Sequence, residues 1–374
     1  MRVLHVIPSI GPLRGGPSVA VGVIARALRD AGLEVDVATT NDNDRDLLQV
    51  PIGTPVHENG VRYWYFERTV HPYTTSAGLA RWLRGNIAQY QVVHTHALFS
   101  FSTSVTAAAA RKSRVPYIVR PLGTLATYGM QQHSFLKRAS WLMLERRILR
   151  NAAGVHFTSE AEKQEAERLG QWHSFVVPIG VEPFAGDRSA APAQLTYLFL
   201  GRIHPKKRVD LLLDAFAQVM RTAPEAKLVI AGTGEDEYVR ALKEQAARSG
   251  LETAVTWTGH VSGTEKLHVL EAASVFVLPS INENFGIAPV EALAAGIPVV
   301  LSRGVAIHKE VEDYGAGIIV DDDAGSLAAG RLYLRFREER SAMALRALRL
   351  AQEKFSLEAM QRGLLAMYQQ VTSA

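Results

Sequence analysis

Cysteine is absent from this chain of 374 residues, and no apolar run approaches the roughly 18 residues that a membrane-spanning helix needs. The first absence excludes structural disulfides and thiolate chemistry. The second predicts a chain without a transmembrane helix. Residues 1–8 have the apolar pattern of a first strand rather than of a signal peptide, so the sequence predicts a cytoplasmic protein.

Low-complexity segments, repeats of solenoid length and a G-x-G-x-x-G motif after the first strand are also absent. These absences exclude a repeat array and make an NAD-linked dehydrogenase the least favoured enzyme class. The formal net charge of +4 is too small to identify a partner, because nucleotides, anionic lipids and plain solubility all fit it. We expect no nucleic-acid partner.

Apolar runs rich in β-branched residues alternate with segments of helical period, which predicts an α/β fold with parallel sheets. The length favours two cores, and a break rich in Pro and Gly over residues 178–192 predicts a hinge. We expect a first domain at 1–180, a second at 181–356, and a last helix within 357–374 that can pack back on the first. The predicted strands are Val3–Pro8, Glu34–Thr39, Val92–His96, Tyr117–Arg120, Gly154–Thr158, Ser174–Val177, Leu195–Leu200, Ala226–Ala231, Val255–Thr258, Val275–Leu278, Pro298–Ser302 and Gly317–Val320.

Two carboxylates surround a predicted helix start in the second half. Glu283 stands on the loop that leaves the apolar run Val275–Leu278. Pro289 suits the first position of a helix, which would place Glu291 in the first turn. Since ligands bind at the carboxyl ends of parallel strands and ionised carboxylates only accept hydrogen bonds, the pair indicates a ligand rich in hydroxyls, such as a nucleotide sugar.

Arg202 and Lys207 lie between a predicted strand and a predicted helix. A guanidinium can fork onto two phosphate oxygens and an ammonium adds a point charge, so together they can neutralise a departing diphosphate. A solvated basic loop is the plain alternative for such a run of cations.

His94 and His96 close a strand and point to the same face if that strand is regular. With no third ligand at a recognisable spacing, we expect no metal site. A histidine in a cleft and a hydrogen-bonded core residue both remain open for His96. The pair Gly15-Gly16 is explained equally well by a tight turn with positive φ.

The chain resembles the retaining GT-B glycosyltransferases of family 4 over nearly its whole length. The resemblance rests on three groups of residues: Gly201-Arg202 with Lys207, Glu283 with Glu291, and Phe285-Gly286 followed by residues 291–299. It implies two Rossmann-like domains that face each other across a cleft, the first on the acceptor side and the second binding the nucleotide sugar. It also implies that no metal or other cofactor is needed beyond the donor substrate.

The resemblance assigns roles to the motif residues. Glu283 would hold hydroxyls of the donor sugar, Glu291 the ribose, and Arg202 with Lys207 the diphosphate, while His96 would lie near the transferred sugar. Further contacts are implied at Gly15 and Gly16 in the first glycine-rich loop, at the backbone of Phe285, Gly286 and Ile287, at Gly232 near the nucleotide and at Val261 near the base. For Gly232 a simple helix entry, with Thr233 or Gly234 near the cap, is an equal alternative.

Residues 120–125, followed by Lys137, Trp141, Glu145, Arg146 and Arg147, resemble a subgroup that makes bacterial surface polysaccharide or exopolysaccharide. The implied reaction moves a hexose from a nucleotide sugar to a hydroxyl of a growing, lipid-linked glycan. UDP-hexose is the favoured donor, with GDP-mannose next. A nucleotide-sugar epimerase, a phosphorylase and a non-catalytic nucleotide-binding subunit are the rival functions.

The predicted helix 133–150 mixes large apolar residues with Lys and Arg. Such a helix either rests on anionic lipid at the inner face of the plasma membrane or packs on its domain with a basic outer face. The sequence does not separate these alternatives. Asp321, Asp322 and Asp323 are expected to form a solvated turn rather than a metal site.

Overall fold

The computed structural model of the protein describes residues 1–71, 73–125, 134–187, 192, 194–321 and 329–373, with the backbone alone at 134–136 and 329–339. The chain divides into two compact units. Unit 1 comprises Met1–Gly180 with Leu357–Ala374, and unit 2 comprises Val181–Ser356.

Unit 1 is built on an eight-stranded sheet, accompanied by a short two-stranded ladder. Its strands are β1 Arg2–Ser9, β2 Glu34–Thr40, β3 Asp42–Asn43, β4 Asp46–Leu47, β5 Pro55–Glu58, β6 Val61–Phe66, β7 Val92–His96, β8 Tyr117–Arg120, β9 Gly154–Phe157 and β10 Ser174–Val176. The order in the large sheet is β10-β9-β8-β7-β1-β2-β6-β5, and β3 pairs with β4. All neighbours in the large sheet are parallel except the antiparallel pair β5 and β6.

The helices of unit 1 that precede the boundary are α1 Gly16–Asp30, α2 Ala77–Asn86, α3 Phe101–Ser113, α4 Ser134–Ser140, α5 Arg146–Arg150 and α6 Glu160–Glu167. A π-helical turn, Trp141–Glu145, joins α4 to α5, and 3-10 turns lie at Pro12–Arg14 and Ile87–Gln89. Serine starts three of these helices, because the hydroxyls of Ser76, Ser100 and Ser159 each accept a hydrogen bond from the amide three residues later.

Unit 2 repeats the alternation around a six-stranded sheet. Its strands are β11 Thr196–Leu200, β12 Lys227–Ala231, β13 Val255–Gly259, β14 Val275–Leu278, β15 Val299–Ser302 and β16 Gly317–Val320. The order is β13-β12-β11-β14-β15-β16, and all five pairings are parallel. Its helices are α7 Val209–Val219, α8 Asp236–Arg248, α9 Gly263–Ala272, α10 Ile287–Ala294, α11 His308–Tyr314 and α12 Ala329–Lys354, with a 3-10 turn at Pro205–Lys207.

The last helix, α13 (Leu357–Ser373), belongs to unit 1 and packs against α1. Gln361 Nε2 donates to the carbonyl of Ala27 at 2.7 Å. The side chains that α13 buries lie on one face of the helix: Met360, Leu364, Met367, Tyr368 and Val371. Residues far apart in sequence thus share the core of unit 1.

The two parallel sheets flanked by helices confirm the predicted α/β class. The sequence pattern did not reveal β5, β6 or α12. Strand β6 is dominated by aromatic residues and alternates between buried and half-buried positions near a sheet edge, so it lacks the continuous apolar run of the central strands. Helix α12 is rich in charged residues, which obscure its apolar stripe.

Candidate functional site

In unit 2 the strand order changes direction between β11 and β14, because β11 pairs with β12 on one side and with β14 on the other. The loops that leave β11 and β14 therefore meet at one edge of the sheet. The amide of Ile281 donates to the carbonyl of Lys206 at 2.8 Å, and Ser280 Oγ donates to the same carbonyl at 3.1 Å. The two predicted motifs are thus joined by main-chain hydrogen bonds.

Lys207 and Glu283 form an ion pair at this edge, with side chains only 14% and 19% exposed. The backbone of Glu283 is held on its other side by the loop after β15. Its amide donates to the carbonyl of Gly304 at 2.8 Å, and its carbonyl accepts from the amide of Ala306 at 3.0 Å. The carboxylate is therefore fixed beside the ammonium by a rigid loop.

The environment of Lys207 disfavours its charge. Burial, helped by the neighbouring cations Lys206 and Arg202, lowers the pKa of Lys207 to about 7. The Glu283 carboxylate in contact with Nζ acts in the opposite direction, since an opposite charge favours the ammonium. A second anion at this position would stabilise the protonated form further.

Arg202 is exposed and makes no ion pair with any residue in the described ranges. His204 Nδ1 accepts a hydrogen bond from the amide of Lys206 at 3.2 Å, which starts the 3-10 turn that carries Lys207. The turn thus presents one exposed guanidinium and one buried ammonium after β11. This pair of cations suits an anion with several oxygens, such as a diphosphate.

The helix after Glu283 begins earlier than the sequence predicts. Gly286 is its N-cap with φ of 84°, and α10 starts at Ile287. Pro289 is therefore the third helical residue, not the first, and Glu291 lies in the second turn. The predicted helix start is two residues too late, because Gly286 in the left-handed region, rather than Pro289, determines where the helix begins. Pro289 is still tolerated, since the first four N–H groups of a helix have no helical acceptor.

Glu291 is paired with a lysine that the sequence analysis did not single out. Lys266 Nζ lies 2.8 Å from Glu291 Oε1, and both side chains are partly exposed. Lys266 belongs to α9 and Glu291 to α10, so the contact joins two helices through residues that are 25 positions apart in the sequence. No local spacing rule connects the two positions, and only the sheet order brings them together.

Phe285 and Gly286 serve packing. The Phe285 ring is buried and meets Phe355 edge-on, with centroids 5.7 Å apart, so only its backbone is left for a ligand. A Cβ at Gly286 would lie 2.9 Å from Pro289 Cγ and 3.3 Å from Glu283 Cγ. Glycine therefore allows the Glu283 loop to approach the start of α10, where the amide of Ile287 lies in the first turn.

Gly232 is also explained by close packing. A Cβ there would lie 1.9 Å from the carbonyl oxygen of Gly201, so the turns after β11 and β12 touch through their backbones. The N-cap of α8 is Glu235, so Gly234 directly precedes the cap, as the helix-entry alternative expects. Val261 is half-buried on the segment between β13 and α9, the helix that carries Lys266.

In unit 1, the glycine loop after β1 contains one strained turn. Gly15 has φ of 76° and caps α1, whose first residue is Gly16. No atom lies within 4 Å of a Cβ built on Gly15, so its backbone angle alone requires glycine. The pair therefore forms the tight turn that the sequence left as one of two explanations.

His94 and His96 do share a face, with ring centroids 4.6 Å apart. The sheet adds a third ring that spacing could not reveal, because β1 pairs His5 directly with His94. One ring nitrogen from each of these three histidines lies within 4.8 Å of the other two, and all three residues are fully buried. A third candidate ligand therefore comes from the neighbouring strand, at a distance in sequence that no spacing rule could recognise.

A buried cation lies beside this cluster. Arg120 is the register partner of His96, and burial lowers the pKa of its guanidinium to about 10 although Glu162 opposes the shift. Burial, reinforced by neighbouring rings and by Arg120, lowers the pKa of His94 and of His96 far below the ordinary value. The rings are therefore neutral and the guanidinium charged near neutral pH.

The segment of residues 134–150 buries Trp141 and Glu145 but leaves Leu142 and Met143 more than 70% exposed beside Arg146 and Arg147. Both alternatives for this segment thus have some support. Among the described residues, no helix combines the length and apolarity required to cross a bilayer.

The aspartate run is only partly described. Asp321 Oδ1 accepts from Arg303 Nε at 2.8 Å, and both side chains are exposed. His133, Asp322 and Asp323 lie outside the described residues.

Two family models match the chain. The model described as glycosyl transferase 4-like domain matches residues 15–180, and that described as glycosyl transferases group 1 matches residues 187–344. Phosphatidyl-myo-inositol mannosyltransferase of Mycobacterium leprae is 28% identical over 348 residues, which are 88% of this chain and 85% of that protein. D-inositol 3-phosphate glycosyltransferase of Segniliparus rotundus is 33% identical over 224 residues, 54% of this chain and only half of that relative's length.

Solved structures share the fold. HepE from Anabaena, crystallised with UDP and glucose, has a TM-score of 0.77 at 20% identity, with 98% of each chain covered. Sucrose-phosphate synthase from Thermosynechococcus elongatus has a TM-score of 0.78 at 21% identity, with each chain fully covered. At these identities the likeness establishes the fold alone.

The lowered pKa of Lys207 predicts a pH-dependent anion site. As pH rises through about 7, the ammonium loses its proton, so affinity for inorganic diphosphate should fall by up to about tenfold per pH unit. Lys207→Arg keeps its charge and should lose no affinity over the same range. Calorimetric titration of both proteins with diphosphate between pH 6 and about 9 gives the ratio of their affinities. The titration of the diphosphate itself cancels in this ratio. Parallel curves for the two proteins would contradict the assignment.

Proposed function

We propose that this chain, which belongs to the group 1 glycosyltransferases of family 4 and is a glycosyltransferase with the GT-B fold, transfers a hexose with retention of configuration. The donor would be a nucleotide sugar and the acceptor a hydroxyl of a growing, lipid-linked glycan in surface polysaccharide or exopolysaccharide synthesis. The observation that carries the proposal is the buried contact between Lys207 and Glu283 where the loops after β11 and β14 meet.

The ion pair suggests how the donor is received. A diphosphate bound by Arg202 and Lys207 would replace Glu283 as the counter-ion of the ammonium. The carboxylate would then have all its lone pairs available for hydrogen bonds from hydroxyls of the sugar. Glu291, which contacts Lys266 through one oxygen, would likewise accept hydrogen bonds from the ribose hydroxyls.

The chemistry follows from these contacts. The bond between the anomeric carbon and the phosphate oxygen breaks, and a new bond forms from that carbon to the acceptor oxygen on the same face. The proton of the incoming hydroxyl passes to an oxygen of the departing diphosphate, so no protein nucleophile is required. Arg202 and Lys207 stabilise the charge that develops on the leaving group, and Glu283 supports the positive charge on the sugar. His96 would lie near the transferred sugar.

Supporting contacts come from backbone. The amides of Phe285, Gly286 and Ile287 lie at the start of α10, where unpaired N–H groups favour an anion. The turns at Gly232 and Val261 would border the nucleotide. The glycine loop Gly15-Gly16 in unit 1 would serve the donor phosphate and the acceptor.

We place UDP-hexose first among donors and GDP-mannose second. HepE, whose fold this chain shares, is known in complex with UDP-glucose, and the relative from Mycobacterium leprae is named for mannosyl transfer. The relative from Mycobacterium leprae also supports a lipid-linked acceptor, because its name specifies a phosphatidylinositol substrate. The reaction would take place in the cytoplasm, at the inner face of the plasma membrane.

Replacing Glu283 by Gln tests the role of its carboxylate. Turnover should fall by about 100-fold or more, because support for the developing positive charge is lost. Affinity for the nucleoside diphosphate should stay the same or increase, since Lys207 is released from its partner. Steady-state kinetics with a donor and acceptor panel, together with calorimetry of the diphosphate, separates the two effects.

The matched control is Glu244→Gln, an exposed glutamate on α8, which should change neither quantity. Full turnover in the Glu283 variant would refute the role. Product analysis distinguishes the rivals: an epimerase changes the sugar without an acceptor, whereas the proposed enzyme forms an α-linked or β-linked product with the anomeric configuration of its donor. A wild-type protein inactive across a broad panel would support the non-catalytic subunit.

Thermal stabilisation identifies the base. At a concentration of about 100 times its dissociation constant, a bound nucleotide stabilises the folded protein by roughly 2.7 kcal/mol. We therefore expect UDP to raise the melting temperature by several degrees and GDP, at the same concentration, to raise it less. Differential scanning fluorimetry of the whole chain measures both, with UMP as a control for the second phosphate. A larger shift with GDP would move GDP-mannose to first place.

The exposed apolar residues of segment 134–150 support contact with an anionic membrane. Leu142 and Met143 protrude next to Arg146 and Arg147, a combination in which insertion and charge both assist binding. A purely structural helix gains nothing from two large apolar side chains in water. We therefore extend the proposal to a peripheral membrane site at this segment.

The double substitution Leu142→Ser with Met143→Ser should weaken binding to vesicles of phosphatidylcholine and phosphatidylglycerol by more than about tenfold, since each buried apolar side chain contributes about 1.5–3 kcal/mol. Vesicle sedimentation measures the change. Leu345→Ser, at an equally exposed leucine on α12, is the control and should bind like the wild type. Equal sedimentation of the wild type and the double variant would contradict the proposal, as would equal binding to neutral vesicles.

A further inference from the structure

Four buried histidines and one tyrosine of unit 1 form a continuous chain of polar contacts. Its members come from β1, β7, β9 and α13, and each is fully buried. The successive contacts are His156 Nε2 to the Val177 carbonyl at 2.8 Å, His156 Nδ1 to His94 Nε2 at 3.2 Å, His94 Nδ1 to Tyr368 Oη at 2.9 Å, Tyr368 Oη to His5 Nε2 at 3.4 Å, and His5 Nδ1 to His96 Nε2 at 3.0 Å.

All four rings are neutral. Burial, together with the nearby Arg120 cation, lowers the pKa of His5 and of His156 to about 3, and the pKa values of His94 and His96 fall in the same direction. A neutral imidazole has one N–H donor and one lone pair. Each ring of the chain must therefore donate at one nitrogen and accept at the other.

The Val177 carbonyl fixes the direction of the whole chain, because a carbonyl only accepts. His156 donates to it from Nε2, so its Nδ1 accepts from His94 Nε2. His94 Nδ1 then accepts the hydroxyl proton of Tyr368.

The remaining links follow in the same way. Tyr368 Oη, having donated its proton, accepts from His5 Nε2, and His5 Nδ1 accepts from His96 Nε2. This leaves a lone pair on His96 Nδ1, a buried atom that has no partner within the described parts of the chain. One backbone carbonyl thus determines which nitrogen of His96 can accept a hydrogen bond.

A metal ion is the competing explanation for three histidines whose ring nitrogens approach within 4.8 Å. Two observations favour the hydrogen-bonded chain. The chain already uses both nitrogens of His5 and of His94. Arg120 also adds a buried positive charge, and the one carboxylate of the described residues that acts on it, that of Glu162, accepts from the Gly123 amide and from Thr158.

Arg120 complements the end of the chain. It pairs in register with His96 on the neighbouring strand, and its Nε and Nη1 are buried without a partner in the described ranges. The acceptor His96 Nδ1 and the donors of Arg120, which have no partner in the described ranges, therefore belong to neighbouring residues at the carboxyl ends of β7 and β8.

We propose that His5, His94, His156 and Tyr368 are positioning residues that hold His96 in the tautomer protonated at Nε2, which leaves His96 Nδ1 as a buried hydrogen-bond acceptor beside the Arg120 guanidinium. The effect of this arrangement on turnover rests on the proposed glycosyl transfer. The tautomer itself does not, and it can be measured without any substrate.

Tyr368→Phe tests the chain with a nearly isosteric change. Without the hydroxyl, His5 Nε2 loses its acceptor, so His5 can instead donate from Nδ1 to His96 Nε2 and turn His96 Nδ1 into a donor. In wild-type protein labelled with ¹⁵N-histidine, we expect the His96 resonances of a ring protonated at Nε2 alone. In the variant we expect the second tautomer to appear, and kcat to fall by about tenfold with the donor KM unchanged.

Tyr117→Phe is the matched control, because it removes another buried hydroxyl of unit 1, one that donates to the Ile148 carbonyl at 2.7 Å outside the chain. It should leave the His96 resonances and kcat unchanged. Wild-type His96 protonated at Nδ1, or charged at neutral pH, would overturn the proposal even if transfer activity is found. Stoichiometric zinc or cobalt retained after dialysis would also overturn it, whereas an inactive protein with the expected tautomer would refute only the proposed function.

Discussion

A largely buried ammonium whose charged form is stabilised by an anion beside it is the constraint on which the second unit depends. Lys207 loses much of its hydration where the loops after β11 and β14 meet, and Glu283 is the residue that compensates it. Breaking a buried pair by removing one partner is costly, while exchanging one anion for another is not. On the proposed function, a site of this kind would be stable when empty and would still bind an incoming diphosphate, because the counter-ion would be replaced rather than removed.

The geometry that permits the exchange is supplied by backbone rather than by side chains. Gly232 lets two turns touch, and Gly304 lies so close to the loop after β14 that a Cβ there would be 2.2 Å from the carbonyl oxygen of Ile281. These approaches keep the loops at the carboxyl edge of the sheet short and fixed. The charged side chains consequently project from a rigid base, which is what a preorganised electrostatic site requires.

The sequence predicted the parts that depend on local chemistry. The strands β7, β8, β14 and β16 have the predicted bounds, because runs of β-branched residues carry a strong local signal. The start of α10 was misplaced, since Pro289 is the more conspicuous residue while Gly286 controls the backbone. Contacts made by sheet order were beyond reach: no pattern links Lys266 to Glu291, or His5 to His94, until the strands are arranged. The proximity of Lys207 and Glu283 could be predicted only because the loops after β11 and β14 leave neighbouring strands where the strand order changes direction.

The same dependence on sheet order explains why the chain returns to its first unit. Without Tyr368, the histidines contributed by β1, β7 and β9 would lack the hydroxyl that joins His94 to His5, and two buried ring nitrogens would lose their partner. A water could replace it only in a cavity with room and several polar neighbours. Tyr368 holds the hydroxyl in place at lower entropic cost than a water molecule would, because Leu364 and Met367 on the same face of α13 already order the helix by their burial. The C-terminal helix therefore contributes both apolar burial and the one polar group that makes the histidine chain continuous.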